Sequence, residues 1–275
     1  MPSVKRAAVI TIERDGVDGA LERLRAVAER CGVELVAGRD VDIAIVLGGD
    51  GTMLRALARF LGTGIPVIGV NYGRVGFLTA IPAEELEEGI ARVFAGEYRT
   101  VALSTLAATV NGTTKVAVND VVVAGGTLGR MVEIGYSVGG EDLGHQPCDG
   151  LICATPTGST AYNLSNGGPV LVWGLEAMVL TFVAPHALVI RPLVVPRGSG
   201  VTIANLTPER DATVLVDGQA VGKLATGERA SVRVGDQHTL LATLPEVTFF
   251  TRYAATFGRD PATTDEVVRD ERGDR

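Results

Sequence analysis

Lysine is scarce in this chain of 275 residues: Lys5, Lys115 and Lys223 are the only ones. With no Gly-Lys-Ser/Thr triplet behind any glycine run, a Walker-type phosphate loop is excluded. An HExxH pattern is also missing, and His145, His186 and His238 stand too far apart in sequence to suggest a metal cluster. Cysteine is limited to Cys31, Cys148 and Cys153, without a CxxC pair, which reads as a reduced, cytoplasmic protein whose thiols are buried small hydrophobes. No apolar run approaches the roughly 20 residues needed to span a bilayer, and the opening MPSVKRAAVITIERDG holds too short an apolar stretch for a signal peptide. Basic excess is absent as well. A net charge of −7 argues against a nucleic-acid or anionic-membrane partner, so an anionic ligand must be met by local groups.

What is plentiful is apolar: 46% of residues are hydrophobic and 21% charged, the balance of a globular chain long enough for two modest domains. The first third alternates apolar strands (7–12, 33–36, 42–47, 66–70) with helices over 17–31, 52–61 and 83–94, the first with Leu21, Leu24, Val27 or Ala28, and Cys31 on one face. Strand–helix alternation predicts a doubly wound, Rossmann-like α/β domain over residues 1–98, with ligands beyond the carboxyl ends of its strands. Short Val- and Thr-rich strands then predict a largely antiparallel β-domain over 99–246, punctuated by Asn111-Gly112, Gly125-Gly126, Gly139-Gly140 and Asp217-Gly218. Residues 247–258, rich in aromatics that need cover, are expected to pack back on the first domain, leaving 259–275 as a charged, flexible tail.

The chemistry concentrates in glycine turns. Gly48-Gly49-Asp50-Gly51-Thr52 sits where a strand gives way to a helix, and its glycines let main-chain N–H groups approach an anion at the positive end of the helix. A bare carboxylate would repel phosphate, so Asp50 makes sense beside a divalent cation or an accepting hydroxyl; the simpler alternative makes it the helix N-cap. A second turn, Asn71-Tyr72-Gly73-Arg74-Val75-Gly76-Phe77-Leu78, follows the next strand and offers Arg74 for a phosphate, with Arg191 as a weaker choice. A third block, DGLICATPTGSTAYNLSNGGP from Asp149 to Pro169, holds a strand, a turn and a short helix. Its four hydroxyls between Thr155 and Thr160 favour a ligand over simple capping.

Together with Asn119-Asp120 and Asp217-Gly218-Gln219, these blocks resemble the NAD kinase family in content and order, from about Asp42 to Gln219. The resemblance implies phosphorylation of the 2′-hydroxyl of the adenosine ribose of NAD. In this reading Asp50 faces that hydroxyl as proton acceptor or metal organiser. Gly48, Gly49, Gly51, Thr52 and Arg74 hold the phosphates of ATP, or of polyphosphate, with Mg²⁺ or another divalent ion. Asn119 and Asp120 bind the adenosine part, and Asp149 and Tyr162 the ribose and ring portions; Thr160, Ala161, Ser165 and Ala184 complete the NAD contacts together with Gly51. His186, in a proline–histidine segment shared with the family, reads on physical grounds as structural. Position 120 is Asp where the family usually has Glu, a side chain one methylene longer. The resemblance also implies a homo-oligomer. Lipid kinases share the GGDGT turn but leave TPTGSTAY and DGQ unexplained, and a non-catalytic dinucleotide sensor would have no need of Asp50.

Overall fold

The computed structural model describes residues 3–11, 17–73, 76–126, 131–187 and 189–258; the expected tail at 259–275 lies outside them. The chain opens with β1 (Arg6–Thr11), α1 (Val17–Cys31), β2 (Glu34–Leu35), β3 (Ile43–Gly48), α2 (Asp50–Arg59), β4 (Pro66–Asn71), β5 (Ile81–Pro82), α3 (Leu86–Phe94) and β6 (Arg99–Leu103). There follow β7 (Leu106–Val110), β8 (Thr113–Ala117), β9 (Asp120–Gly125), β10 (Val132–Val138), β11 (Glu141–Cys148), β12 (Gly150–Ala154), α4 (Tyr162–Ser165) and β13 (Ala177–Val183). The remainder is β14 (Leu193–Pro196), β15 (Val201–Asn205), β16 (Ala212–Val216), β17 (Gln219–Leu224), β18 (Arg229–Val234), β19 (Thr239–Thr243) and α5 (Phe249–Phe257).

The first sheet has the order β2-β1-β3-β4-β19-β6, with β5 pairing β4. Strands β1 to β5 run parallel, and β3 is buried at every position, as a parallel strand covered on both faces must be. Ile43, Ile45 and Leu47 pack with Leu24 and Val27 of α1 and Leu86, Ile90 and Val93 of α3. The alternate residues Ala44 and Val46 pack with Met53, Ala56 and Leu57 of α2 on the other face. Each fully buried aliphatic side chain contributes about 1.5–3 kcal/mol, so two-sided coverage explains why this apolar run is a strand at the centre of the sheet. α1 spans the expected residues, but its stripe stops short of Cys31, which is exposed at the helix end. Cys148 and Cys153 are buried as expected, and burial pushes both thiols up to about 12.

Two six-stranded antiparallel sheets, β11-β10-β15-β18-β7-β8 and β14-β13-β12-β9-β16-β17, enclose the second core. Val121, Val123, Leu151, Cys153, Val214 and Ile203 belong to it, and the alternating burial of β18 shows how such strands serve one core with one face. Asn111-Gly112, Gly139-Gly140 and Asp217-Gly218 join adjacent strands with both residues at positive φ, the tight hairpin geometry their composition predicts. β6 and β19 fall within 99–246, yet they belong to the first sheet, where they pair antiparallel. They are the chain's outward and return passages between domains, and their pairing satisfies backbone groups that a bare linker would leave to solvent. Among the described residues no helix is long and apolar enough to cross a membrane.

Candidate active site

Gly48 ends β3 and Asn71 ends β4, directly opposite each other in the sheet register, so the two glycine turns leave the sheet side by side. A bond from the Tyr72 N–H to the Gly48 carbonyl (3.1 Å) links them. The N-cap of α2 is Gly49, without a side-chain cap bond, and Asp50 is the first helical residue. Asp50 is therefore not the N-cap. Its carboxylate crosses to the second turn, where Oδ2 accepts from the Phe77 N–H (2.6 Å) and Oδ1 from the Leu78 N–H (3.0 Å). Gly76 makes room for this seat, because a Cβ there would come within 3.0 Å of the Asp50 Cγ. Thr52 is buried, and its N–H donates to the Gly49 carbonyl (2.9 Å), so it supports the turn from within. Gly51 is exposed beside it, whereas Arg74 lies outside the described residues.

The peptide segment that seats Asp50 is backed from its carbonyl side. Arg252 of α5 is 6% exposed and donates from Nη1 to the carbonyls of Phe77 (2.7 Å) and Thr79. Its guanidinium lies 5.4 Å from the Trp173 ring centroid, and burial lowers its pKa to about 10 against the opposing pull of Asp50. Phe249 meets Phe77 and Trp173 edge-on, with centroids 5.4 Å away in both cases. Cover for the other aromatics of α5 is partial: Phe257 tilts against Phe77 at 6.2 Å yet keeps 40% exposure, and Phe250 (67%) and Tyr253 (43%) remain exposed, because one helix turns only one face to the domain. The sequence signal for Arg252 was a lone cation inside FFTRYAATF.

Val118 is buried in the same cluster as Met53, Phe77, Leu78 and Trp173, which brings Asn119-Asp120 to this seam between the domains. In the register of β12 on β9, Ala154 stands opposite Asp120, so the TPTGST turn begins beside Asn119. The hydroxyls of that turn serve the fold more than a ligand. Thr155 donates to the Val118 carbonyl (2.7 Å), Ser159 to that of Pro156 (2.6 Å), and Thr160 to that of Thr157 (3.1 Å). Four hydroxyls in six residues are thus mainly the cost of folding a buried turn. Thr160 and Ala161 are half-buried at its end, and Tyr162 and Ser165 are exposed on α4. The Asn119 Oδ1 is buried without a hydrogen-bond partner.

Asp120 is 7% exposed, and burial first, then the charge of Asp217, raises its pKa from 3.8 to about 6. A carboxyl whose folded pKa is raised favours folding while protonated, so its contribution is complete below about pH 4 and is lost as pH rises through about 6. The shift of roughly two units corresponds to about 3 kcal/mol. Asp120→Asn should accordingly flatten the fall in thermal midpoint between about pH 4 and pH 6. Parallel parent and variant profiles across that window would show that Asp120 does not titrate there.

Asp149 and Ala184 lie elsewhere. Gly150 pairs with Ala124 and with Val183, the opposite end of β12 from Ala154, and Asp149 bonds to the Val183 carbonyl (2.9 Å). Six residues at about 3.4 Å each separate Asp149 from Thr155, about 20 Å. Within one chain Asp149 and Ala184 therefore stand at the far end of β12 from Asn119 and Asp120, whereas α4 folds back along the strand: Asn163, beside Tyr162, accepts from the Thr181 hydroxyl (2.6 Å), three residues before Ala184. Ala184 is exposed at φ 43, with His186 exposed nearby and Arg191 exposed further on. Among the described residues no three His, Cys, Asp or Glu side chains gather as a metal cage, and Asp50 is the single carboxylate of the two glycine turns. This donor set suits a Mg²⁺ ion carried mainly by phosphates and water.

Residues 5–98 match the family model of the ATP-NAD kinase N-terminal domain, and residues 118–244 that of the ATP-NAD kinase C-terminal domain. The NAD kinase of Gemmatimonas aurantiaca is 40% identical over 237 residues, covering 84% of this chain and 82% of that protein. That of Heliobacterium modesticaldum is 41% identical over 217 residues, covering 77% of each. An NAD kinase from Archaeoglobus fulgidus, solved in complex with ATP, superposes with a TM-score of 0.75 at 27% identity, over 92% of this chain and 97% of that one. Yeast NADH kinase, complexed with NADH, has the same fold at 20% identity, with a TM-score of 0.82 over 94% of this chain and 89% of that one. Similarity of this extent runs through both domains and through every turn that meets at the seam, and the chain belongs to the NAD kinase family.

Proposed function

We propose that the chain is an NAD kinase that moves the terminal phosphoryl group of ATP to the 2′-hydroxyl of the adenosine ribose of NAD, releasing ADP and NADP. The observation that carries this reading is the seat of Asp50. Two backbone N–H groups hold its carboxylate at the head of α2, on the seam where the unpartnered Asn119 amide oxygen lies. The 2′-oxygen bonds to the terminal phosphorus as the bond from that phosphorus to the bridging oxygen of ADP breaks, and the hydroxyl proton leaves toward Asp50. A carboxylate is a weak base toward an alcohol, so this proton moves late, and positioning supplies most of the acceleration. Gly48, Gly49, Gly51 and Arg74 bind the donor phosphates near the helix N-terminus, with Thr52 beneath them. A divalent ion bound with ATP would neutralise phosphate charge, and Asp50 is the side chain that would hold it.

Asn119 and Asp120 take the adenosine part, with Thr160, Ala161, Tyr162 and Ser165 along the adjoining wall. We further propose that the enzyme is a cytoplasmic homo-oligomer. The separation of Asp149 and Ala184 from Asn119 and Asp120 along β12 supports the assembly, because a second copy can bring them to the adenosine side where one copy does not. Asn119→Ala should raise the Michaelis constant for NAD with little change in turnover, since a group that binds ground and transition states alike contributes uniform binding. Asp149→Ala should do likewise. Turnover lowered by orders of magnitude at unchanged NAD affinity would move either residue into the chemistry. The reading as a whole is tested with purified protein, NAD and Mg²⁺, offering ATP or polyphosphate separately and measuring NADP. Formation of NADP with ATP is expected, and its absence with both donors would overturn the proposal.

A further inference from the structure

The DGQ triplet at 217–219 has no part in the chemistry above, yet Asp217 reaches the centre of the site. It occupies the tip of the β16–β17 hairpin at φ 47, a left-handed conformation that Asp, Asn and Gly accept more readily than other residues. From there its carboxylate accepts three successive backbone N–H groups: Val118 (2.8 Å), Asn119 (2.7 Å) and Asp120 (3.2 Å). Its own N–H donates to the Asp120 carbonyl (3.0 Å). The two remaining carbonyls are taken from the opposite side by Thr155, whose hydroxyl donates to Val118 (2.7 Å) and whose N–H donates to Asn119 (2.8 Å).

Every backbone polar group of the tripeptide 118–120 is thereby fixed by one of two residues. Three N–H groups converging on one carboxylate form an anion-binding concavity, here filled from within the chain. Charge-assisted bonds of this kind are about twice as strong as neutral ones, and they immobilise the main chain without using the side chains of Asn119 or Asp120. Those two side chains are left to face a ligand. Asn119 does so with an unpaired buried oxygen, which gains a partner when a donor arrives.

We propose that Asp217 is a positioning residue for NAD recognition, holding the Val118–Asp120 backbone so that the Asn119 amide and the Asp120 carboxylate meet the adenosine part of the dinucleotide in one fixed geometry. The proposal rests on the reading of this seam as the NAD site. Asp217 touches no reacting atom, so its removal acts on NAD binding and leaves the donor side alone.

The test compares Asp217→Asn and Asp217→Gly with the parent, measuring turnover, the Michaelis constants for NAD and for ATP, NAD affinity by calorimetry and the thermal midpoint. Asparagine keeps the left-handed backbone and one acceptor oxygen but sets an NH₂ group against an N–H; glycine keeps the backbone and offers no acceptor. A hydrogen bond to a charged group is worth about tenfold to a hundredfold in affinity. The Michaelis constant for NAD should therefore rise about tenfold in Asp217→Asn and further in Asp217→Gly, with turnover and the constant for ATP within about threefold of the parent. In an Asn119→Ala background the effect of Asp217→Asn should shrink, because the residue it positions is gone. Should the glycine variant fail to fold, the asparagine variant carries the comparison. A lowered thermal midpoint with an unchanged constant for NAD would make Asp217 a fold residue only and overturn the proposal. A parent that neither binds nor phosphorylates NAD would remove the reading beneath it, a result distinct from an active parent whose variants match it in NAD affinity.

Discussion

Asp50→Asn should lower turnover by about 10² to 10⁴, the range of a positioned acid–base group, while NAD binding stays close to that of the parent. The structure adds a second, smaller effect. Both carboxylate oxygens accept backbone N–H groups, from Phe77 and Leu78, and asparagine would replace one of them with an NH₂ facing a donor. A loss of about 1–3 kcal/mol in stability follows from that mismatch, read as a lowered thermal midpoint. Turnover measured on the folded fraction separates the two effects. A variant turning over within a few-fold of the parent at saturating substrates would reduce Asp50 to a strut between α2 and the neighbouring turn.

Gly158→Ala should damage stability and NAD recognition together. An added Cβ would lie 2.6 Å from the carbonyl carbon of Asn119 and 2.9 Å from its Cα, and main-chain atoms cannot rotate away as a flexible side chain can. Either the TPTGST turn or the start of β9 must shift. Overpacking that forces backbone to move costs about 1–3 kcal/mol, and the Michaelis constant for NAD should rise at least about tenfold because Asn119 moves with its carbonyl. The constant for ATP, set on the other side of the seam, should change least. Unaltered melting and unaltered NAD affinity would show that the turn yields without disturbing Asn119.

The doubly wound half was legible because its signals are local. Leu24, Val27 and Ala28 mark one face of α1, the run from Ile43 to Leu47 marks a doubly covered strand, and the glycine turns fall at strand ends by simple counting. What escaped was set at long range. The partners of Asp50 are 27 and 28 residues away, so nothing around GGDGT reveals that its carboxylate is already seated. β6 and β19 look like members of the β-domain until the chain's two passages between domains are seen side by side. DGLICATPTGSTAY reads as one motif, but its first half is a strand, and a strand carries its two ends apart. The hydroxyls of TPTGST pointed toward a ligand because composition cannot distinguish a side chain that binds from one that braces its own turn. Arg252 was invisible for the opposite reason: its role depends on carbonyls of residues 77 and 79.

The pairing of β6 with β19 makes the first domain discontinuous, with the whole β-sandwich spliced between two neighbouring strands of its sheet. During synthesis, strands β7 to β18 leave the ribosome and can pair with one another before the strand that joins β4 to β6 exists. Phe249 and Arg252 emerge later still, so the peptide that seats Asp50 acquires its backing only after β19 has been made. A nascent chain thus carries the proposed adenosine-recognition residues well before it can complete the phosphoryl-transfer turn, and chains released early would hold the means of recognition without a finished seat for the chemistry.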